Sequence, residues 1–181
     1  MATLKIHRLT PTAVIPAIAT SGSACFDLRA DTPDGTSIDV YGAWNKSHPF
    51  IIDSNAMAVE YESLYRGPNL WIKPHERARI PTGLIFDIPE YYSVRLHPRS
   101  GTALKKGLTL ANCEGVIDSD YVEEVCVVLV NHSTEWVKVE HGERICQAEL
   151  VKNIETEIEE VAERPKHKTE RVGGFGHTGV K

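Results

Sequence analysis

The sequence predicts an all-β chain of distorted antiparallel barrel or jelly-roll type, and three observations carry that reading. Short runs of alternating apolar and polar residues recur along most of the chain, the period of strands with one buried face. Turn residues separate those runs at close intervals, as in antiparallel sandwiches and barrels. No strand-helix alternation of the kind a parallel sheet requires is present.

The elements follow in order. Leu4-Lys5-Ile6-His7-Arg8-Leu9 alternates and predicts a first strand; Cys25-Phe26-Asp27-Leu28-Arg29-Ala30, just after Gly22, predicts a second. From about 31 to 70 the texture changes. Pro33, Asp34 and Gly35 crowd its start, and Ser54 is placed to cap a short helix with Met57, Tyr61, Leu64 and Tyr65 on one side. This segment reads as an insertion with its own small apolar face. Beyond it lie strands and turns. The stretch 78–89 is two strands or one bent strand, and 92–96, 125–130, 136–139, 143–151 and 154–158 each read as strands. From Arg164 the chain turns polar and glycine-rich, which predicts one β domain over 1–163 and a mobile arm over 164–181.

Composition bounds the function. At 181 residues with 41% hydrophobic content the chain fits one cored domain. A formal charge of −5 points away from a general nucleic-acid binder. The four cysteines form no CxxC pair, which predicts free thiols in a reducing, cytoplasmic setting. The apolar run 13–19 is short and broken by proline, so it is not read as a leader, and no run reaches membrane-spanning length. The histidines show no zinc spacing, and no GxxxxGK[ST] phosphate loop is present.

Five stretches carry chemistry-bearing residues. The first is Asn112-Cys113-Glu114-Gly115-Val116-Ile117-Asp118-Ser119-Asp120-Tyr121, an acidic turn between two strand-like runs, predicted as a hairpin. Two carboxylates and an aromatic ring there suit a pocket for a ring-bearing substrate attacked by water; the same residues also suit a solvated turn. Second, Arg99-Ser100-Gly101-Thr102-Ala103 can open a helical turn through Lys106, whose exposed N–H groups, with the Arg99 fork, suit phosphate. Third, Gly173-Gly174-Phe175-Gly176-His177-Thr178-Gly179 combines backbone amides for anions with a ring for stacking. Fourth, Asp27 is an acid in an apolar strand, costly to bury unpaired, and either holds a metal-bound water or pairs with an arginine. Fifth, within Gly142-Glu143-Arg144-Ile145-Cys146-Gln147, Arg144 and Gln147 alone read as surface residues of a strand.

Taken together and in this order, from Ser23 to Gly179, these stretches resemble the five motifs of the trimeric, all-β dUTP pyrophosphatases (dUTPases). The resemblance implies a homotrimer that cleaves dUTP to dUMP and pyrophosphate, with Mg2+ carried by the three phosphates. It implies Asp118 as general base on the attacking water and Asp27 as an indirect, water-mediated magnesium ligand. Asn112 and the backbone of Gly115, Val116 and Ile117 would read the uracil edge, and Tyr121 would pack under the deoxyribose. Arg99, Ser100, Gly101 and Gln147 would hold phosphates. Arg171, Phe175, Gly176, His177 and Thr178 would close over the substrate on an arm exchanged between subunits. Four departures stand out: Cys25 and Glu123 occupy usual glycine positions, Arg171 lies one residue nearer Phe175 than usual, and the 31–70 segment is longer than the usual connection.

Two other readings follow from the same residues. A dCTP deaminase shares the fold, but it usually carries Arg-Ser-Ser and lacks the hairpin tyrosine, whereas this chain has Arg99-Ser100-Gly101 and Tyr121. The 31–70 segment, with its Tyr and Met face, is either a docking surface for a protein partner or a patch packed on its own domain.

Overall fold

A computed structural model describes residues 2–42, 44–56 and 66–170. The helix expected around Met57, Tyr61, Leu64 and Tyr65 lies outside the described residues, as do Arg171, Phe175, Gly176, His177 and Thr178.

The described chain contains thirteen strands and one short helix. The first six strands are β1 (Lys5–Arg8), β2 (Phe26–Arg29), β3 (Ser37–Tyr41), β4 (Ser47–Ile52), β5 (Arg66–Gly67) and β6 (Leu70–Ile72). Next come β7 (Arg77–Asp87), β8 (Tyr92–His97), the helix α1 (Ser100–Lys106) and β9 (Leu108–Leu110). The last four are β10 (Gly115–Ile117), β11 (Glu124–Asn131), β12 (Val137–Val139) and β13 (Arg144–Lys152). The expected all-β class holds. The strands do not close into a barrel; they form three sheets around one core. One sheet runs β5-β4-β3-β7-β11-β9 with β1 also on β7, a second runs β10-β8-β13-β2, and β12 pairs β6.

β7 organises the larger sheet. Its first half pairs β3 and its last four residues pair β1, while β11 runs along the opposite edge. It is one continuous strand despite Pro81, which lacks an N–H. A register shift between Glu124 and Cys126 and the left-handed Gly83, at φ 67°, absorb the irregularity nearby. A Cβ at Gly83 would collide with the Asp31 carboxylate and Ala13, so glycine is required there. Asp31, 4% exposed, accepts hydrogen bonds from the Thr10 and Thr12 hydroxyls, which satisfy its buried charge and pin the N-terminal loop. His141 Nδ1, 3.9 Å from this carboxylate, accepts the Thr32 N–H.

Part of the 31–70 segment, read as an insertion, contributes to the common core. Ile38 and Val40 of β3, and Phe50 and Ile52 of β4, are buried with Ile80, Phe86, Leu129 and Val139. Their period-two alternation places these four side chains on the buried face of β3 and β4. Conversely, the strand expected over 154–158 is absent. Ile154 and Ile158 are 88% and 95% exposed, because no neighbouring strand among the described residues offers them a partner. No helix among the described residues is long and apolar enough to cross a membrane.

Candidate active site

The phosphate-suited residues converge at one end of the four-stranded sheet. β2 and β13 are antiparallel and place Asp27 opposite Gln147. β13 in turn places Gln147 opposite His97, the last residue of β8. The chain then leaves β8 through Pro98 and Arg99 and enters α1 at Ser100. Arg99 occupies the cap position in extended conformation, and no side chain caps the helix. The first-turn N–H groups at Ser100 and Gly101 therefore remain available to an outside acceptor. Open space lies where a Cβ on Gly101 would point, so a ligand can approach the backbone closely there. α1 ends at Gly107, left-handed at φ 67°, and its last turn carries Lys105 and Lys106, which suit the helix dipole.

Asp27 pairs with two arginines. Arg99 Nε donates to Asp27 Oδ1 at 2.9 Å, and Arg144 Nη1 donates to Oδ2 at 3.0 Å. Arg99 Nη1 also reaches the Arg144 carbonyl at 3.3 Å and the Thr102 hydroxyl at 3.4 Å. One carboxylate thus orients two guanidinium groups, and Arg144 is no idle surface residue. Which arginine would serve Asp27 was not legible, because the partners lie far away in sequence; the acid in an apolar strand was the signal that some cation would.

Beneath this cluster Cys146 is fully buried, and burial pushes its thiol up to about 12, with Asp27 pushing the same way and Arg99 opposing. Cys25 is raised more modestly, by burial first and by Glu149 and Asp27 next. All four cysteines are free thiols.

The acidic segment is not the plain hairpin the sequence predicted. β9 and β11 do pair, at Leu110 and Leu129, within the larger sheet. Between them the chain crosses to the other sheet, where β10 pairs β8 with Gly115 opposite Leu96 and Ile117 opposite Val94. Tight local geometry makes the crossing possible. Cys113 is left-handed at φ 61°, and the Glu114 N–H donates to the Asn112 carbonyl at 2.6 Å. Gly115 is closely packed, since a Cβ there would sit 3.0 Å from the Leu96 side chain. β10 is an edge strand, so its outer N–H and C=O groups are free to pair with something other than β8.

After Ile117 the chain turns, and the Tyr121 N–H donates to the Asp118 carbonyl at 3.2 Å. Asn112, Asp118 and Val116 are exposed, and no described residue bonds the Asp118 carboxylate. The Tyr121 hydroxyl donates to the Glu124 carbonyl at 3.0 Å, fixing a ring that is 41% exposed. Burial of its inner part, then Cys126, raises the phenol above its ordinary value.

The described residues therefore form two groups: Asp27, Arg99, Ser100, Gly101 and Gln147 at one sheet end, and Asn112, Gly115, Val116, Ile117, Asp118 and Tyr121 on the crossing segment. No direct hydrogen bond joins the two among the described residues. The donor chemistry fits a divalent cation carried on a substrate rather than caged by protein. No group of three or more His, Cys, Asp and Glu side chains among the described residues is arranged to hold a metal ion, and Asp27 stands as a single carboxylate. Each arginine occupies one lone-pair site on a carboxylate that has about four, which leaves room for a metal-bound water.

The dUTPase family model matches residues 63–179. A deoxyuridine 5'-triphosphate nucleotidohydrolase of Nautilia profundicola is 39% identical over 97% of this chain and 98% of its own length. The enzyme of that name from Rhizobium rhizogenes is 34% identical over 92% of this chain and 85% of its own. Among solved structures, a Staphylococcus bacteriophage 80alpha dUTPase with dUpNHpp superposes with a TM-score of 0.70 at 20% identity, covering 98% of this chain and 99% of that one. A dUTPase from phage phi11 of S. aureus, described with a structural Mg(II) ion, gives a TM-score of 0.65 at 17% identity over 91% and 99%. The chain belongs to the dUTPase family.

Proposed function

We propose that this chain hydrolyses dUTP to dUMP and pyrophosphate, with the crossing segment as the base-reading and water-activating element. The observation that carries the reading is the free edge of β10, lying between the exposed Asn112 and the exposed Asp118. A strand edge offers N–H and C=O groups in fixed alternation, which matches the donor and acceptor edge of uracil. Backbone at Gly115, Val116 and Ile117 and the Asn112 amide read that edge, and a tight fit leaves no room for the thymine methyl. Tyr121, held by its own hydroxyl bond, packs under the sugar and excludes a 2′-hydroxyl.

Asp118 accepts a proton from a water that attacks the α-phosphate in line, and pyrophosphate leaves. Arg99, oriented by Asp27, neutralises phosphate charge with the Ser100 and Gly101 N–H groups and Gln147. Asp27 would hold a magnesium ion through one of its waters, and the ion would supply positive charge to offset that of the phosphates. Arg171, Phe175, Gly176, His177 and Thr178 belong to an arm over 164–181 that covers the substrate from a neighbouring subunit of a trimer.

The test is pyrophosphate release from dUTP, dTTP, UTP and dCTP with magnesium present. Strong preference for dUTP is expected. Equal turnover of dTTP would sink the edge-reading role of β10, and ammonia release from dCTP would favour the deaminase reading.

A further inference from the structure

The face of the four-stranded sheet that carries Asp27 also carries a charged chain that leads to the crossing segment. Asp27 lies opposite Gln147, and Gln147 opposite His97. Because Gly115 faces Leu96, Glu114 falls beside His97 and extends the same row. His97 sits between two carboxylates: its Nε2 is 3.1 Å from Glu149 Oε1, and its Nδ1 is 3.7 Å from Glu114 Oε1. Arg95, one row along and opposite Glu149, reaches the other Glu114 oxygen at 3.7 Å.

We propose that His97 is a positioning residue for base recognition: with Arg95 it clamps Glu114 to the sheet and so fixes the strained turn that presents Asn112. The inference rests on the reading of the crossing segment as the base site. The mechanical link is short. Glu114 follows the left-handed Cys113, and its N–H is bonded to the Asn112 carbonyl at 2.6 Å. Whatever holds the Glu114 side chain therefore holds the Asn112 backbone. Without that hold, the turn has Gly115 packed on Leu96 on one side and the end of β9 on the other. The four side chains are each between 30% and 50% exposed, so the pairs contribute little to global stability and their effect is on local geometry.

The experiment is steady-state kinetics of dUTP hydrolysis with magnesium for His97→Ala, Glu114→Gln and the double variant, with thermal midpoints alongside. The expected result is a KM for dUTP raised about fivefold in each single variant, the size of one partly exposed charged contact, with kcat near wild type. The double variant is expected to be no worse than the poorer single one, since both remove the same link. Glu114→Gln tests the link from the turn side should His97→Ala fail to fold. Unchanged KM, a fall in kcat at constant KM, or additive effects would each overturn the clamp. Asn112→Ala separates the two readings. If it leaves KM unchanged, the base-site assignment fails; if it raises KM while His97→Ala does not, the clamp alone fails.

Discussion

Arg99 Nε lies 2.9 Å from the carboxylate of Asp27, a residue 72 positions earlier in the chain. Asp27 fixes the plane of the guanidinium, and Thr102 and the Arg144 carbonyl receive the Nη1 side of the same fork. Lysine at position 99 would keep the charge and lose this fork. Arg99→Lys is therefore expected to lower kcat/KM for dUTP about tenfold or more, with the fold intact by circular dichroism. Wild-type kinetics in this variant would remove Arg99 from phosphate binding.

Asp118 is exposed on its turn and bonded to no described residue, which leaves its carboxylate free to take a proton from water. Asp118→Asn keeps the shape and removes the base. A fall in kcat of roughly a hundredfold to ten-thousandfold is expected, with calorimetric binding of dUTP retained. Full turnover would mean another group accepts the proton.

Gly115 is where β10 touches β8 most closely. A methyl there would meet the Leu96 side chain at 3.0 Å, so Gly115→Ala displaces β10 by a few tenths of an ångström or displaces Leu96. The expected outcome is a stability loss of about 1–3 kcal/mol in urea titrations together with a raised KM for dUTP. A variant with both unchanged would show that β10 tolerates movement and does not set the base fit.

Cys146 gives the protein a pH signature. Burial holds its thiol protonated up to about 12 in the folded state, against an ordinary 9.0. Above pH 9 the unfolded chain sheds this proton and the folded chain keeps it, so stabilisation intact below pH 9 is lost as pH rises toward 12. The expected slope from this group is about 1.4 kcal/mol per pH unit. Urea midpoints measured from pH 8 to 11 should fall less steeply in Cys146→Ala than in wild type; parallel curves would rule the thiol out.

Removing 173–181 is expected to slow dUTP turnover by orders of magnitude while the thermal midpoint stays put, because the last strand among the described residues, β13, ends at Lys152. An unchanged rate would leave Phe175 without its proposed place over the base.

Much of the site was legible locally. The helical turn from Ser100, the strand bearing Asp27 and the exposed acidic turn at Asp118 all follow from residue type and spacing over a few positions. The alternation of Ile154 and Ile158 was read as a strand, and no strand forms there. Alternation reports which face is apolar, and the presence of a partner decides whether a strand forms.

The sequence by itself determined the all-β class, the order of the motifs and the chemical types at each of them. Tertiary structure alone decided that β10 leaves β9 and β11 for the opposite sheet, that Asp27 receives both Arg99 and Arg144, and that His97 stands between Glu114 and Glu149. Those facts depend on contacts between residues far apart in the chain. Local periodicity carries no record of which distant strand will close the gap, and only the packing of the shared core selects it.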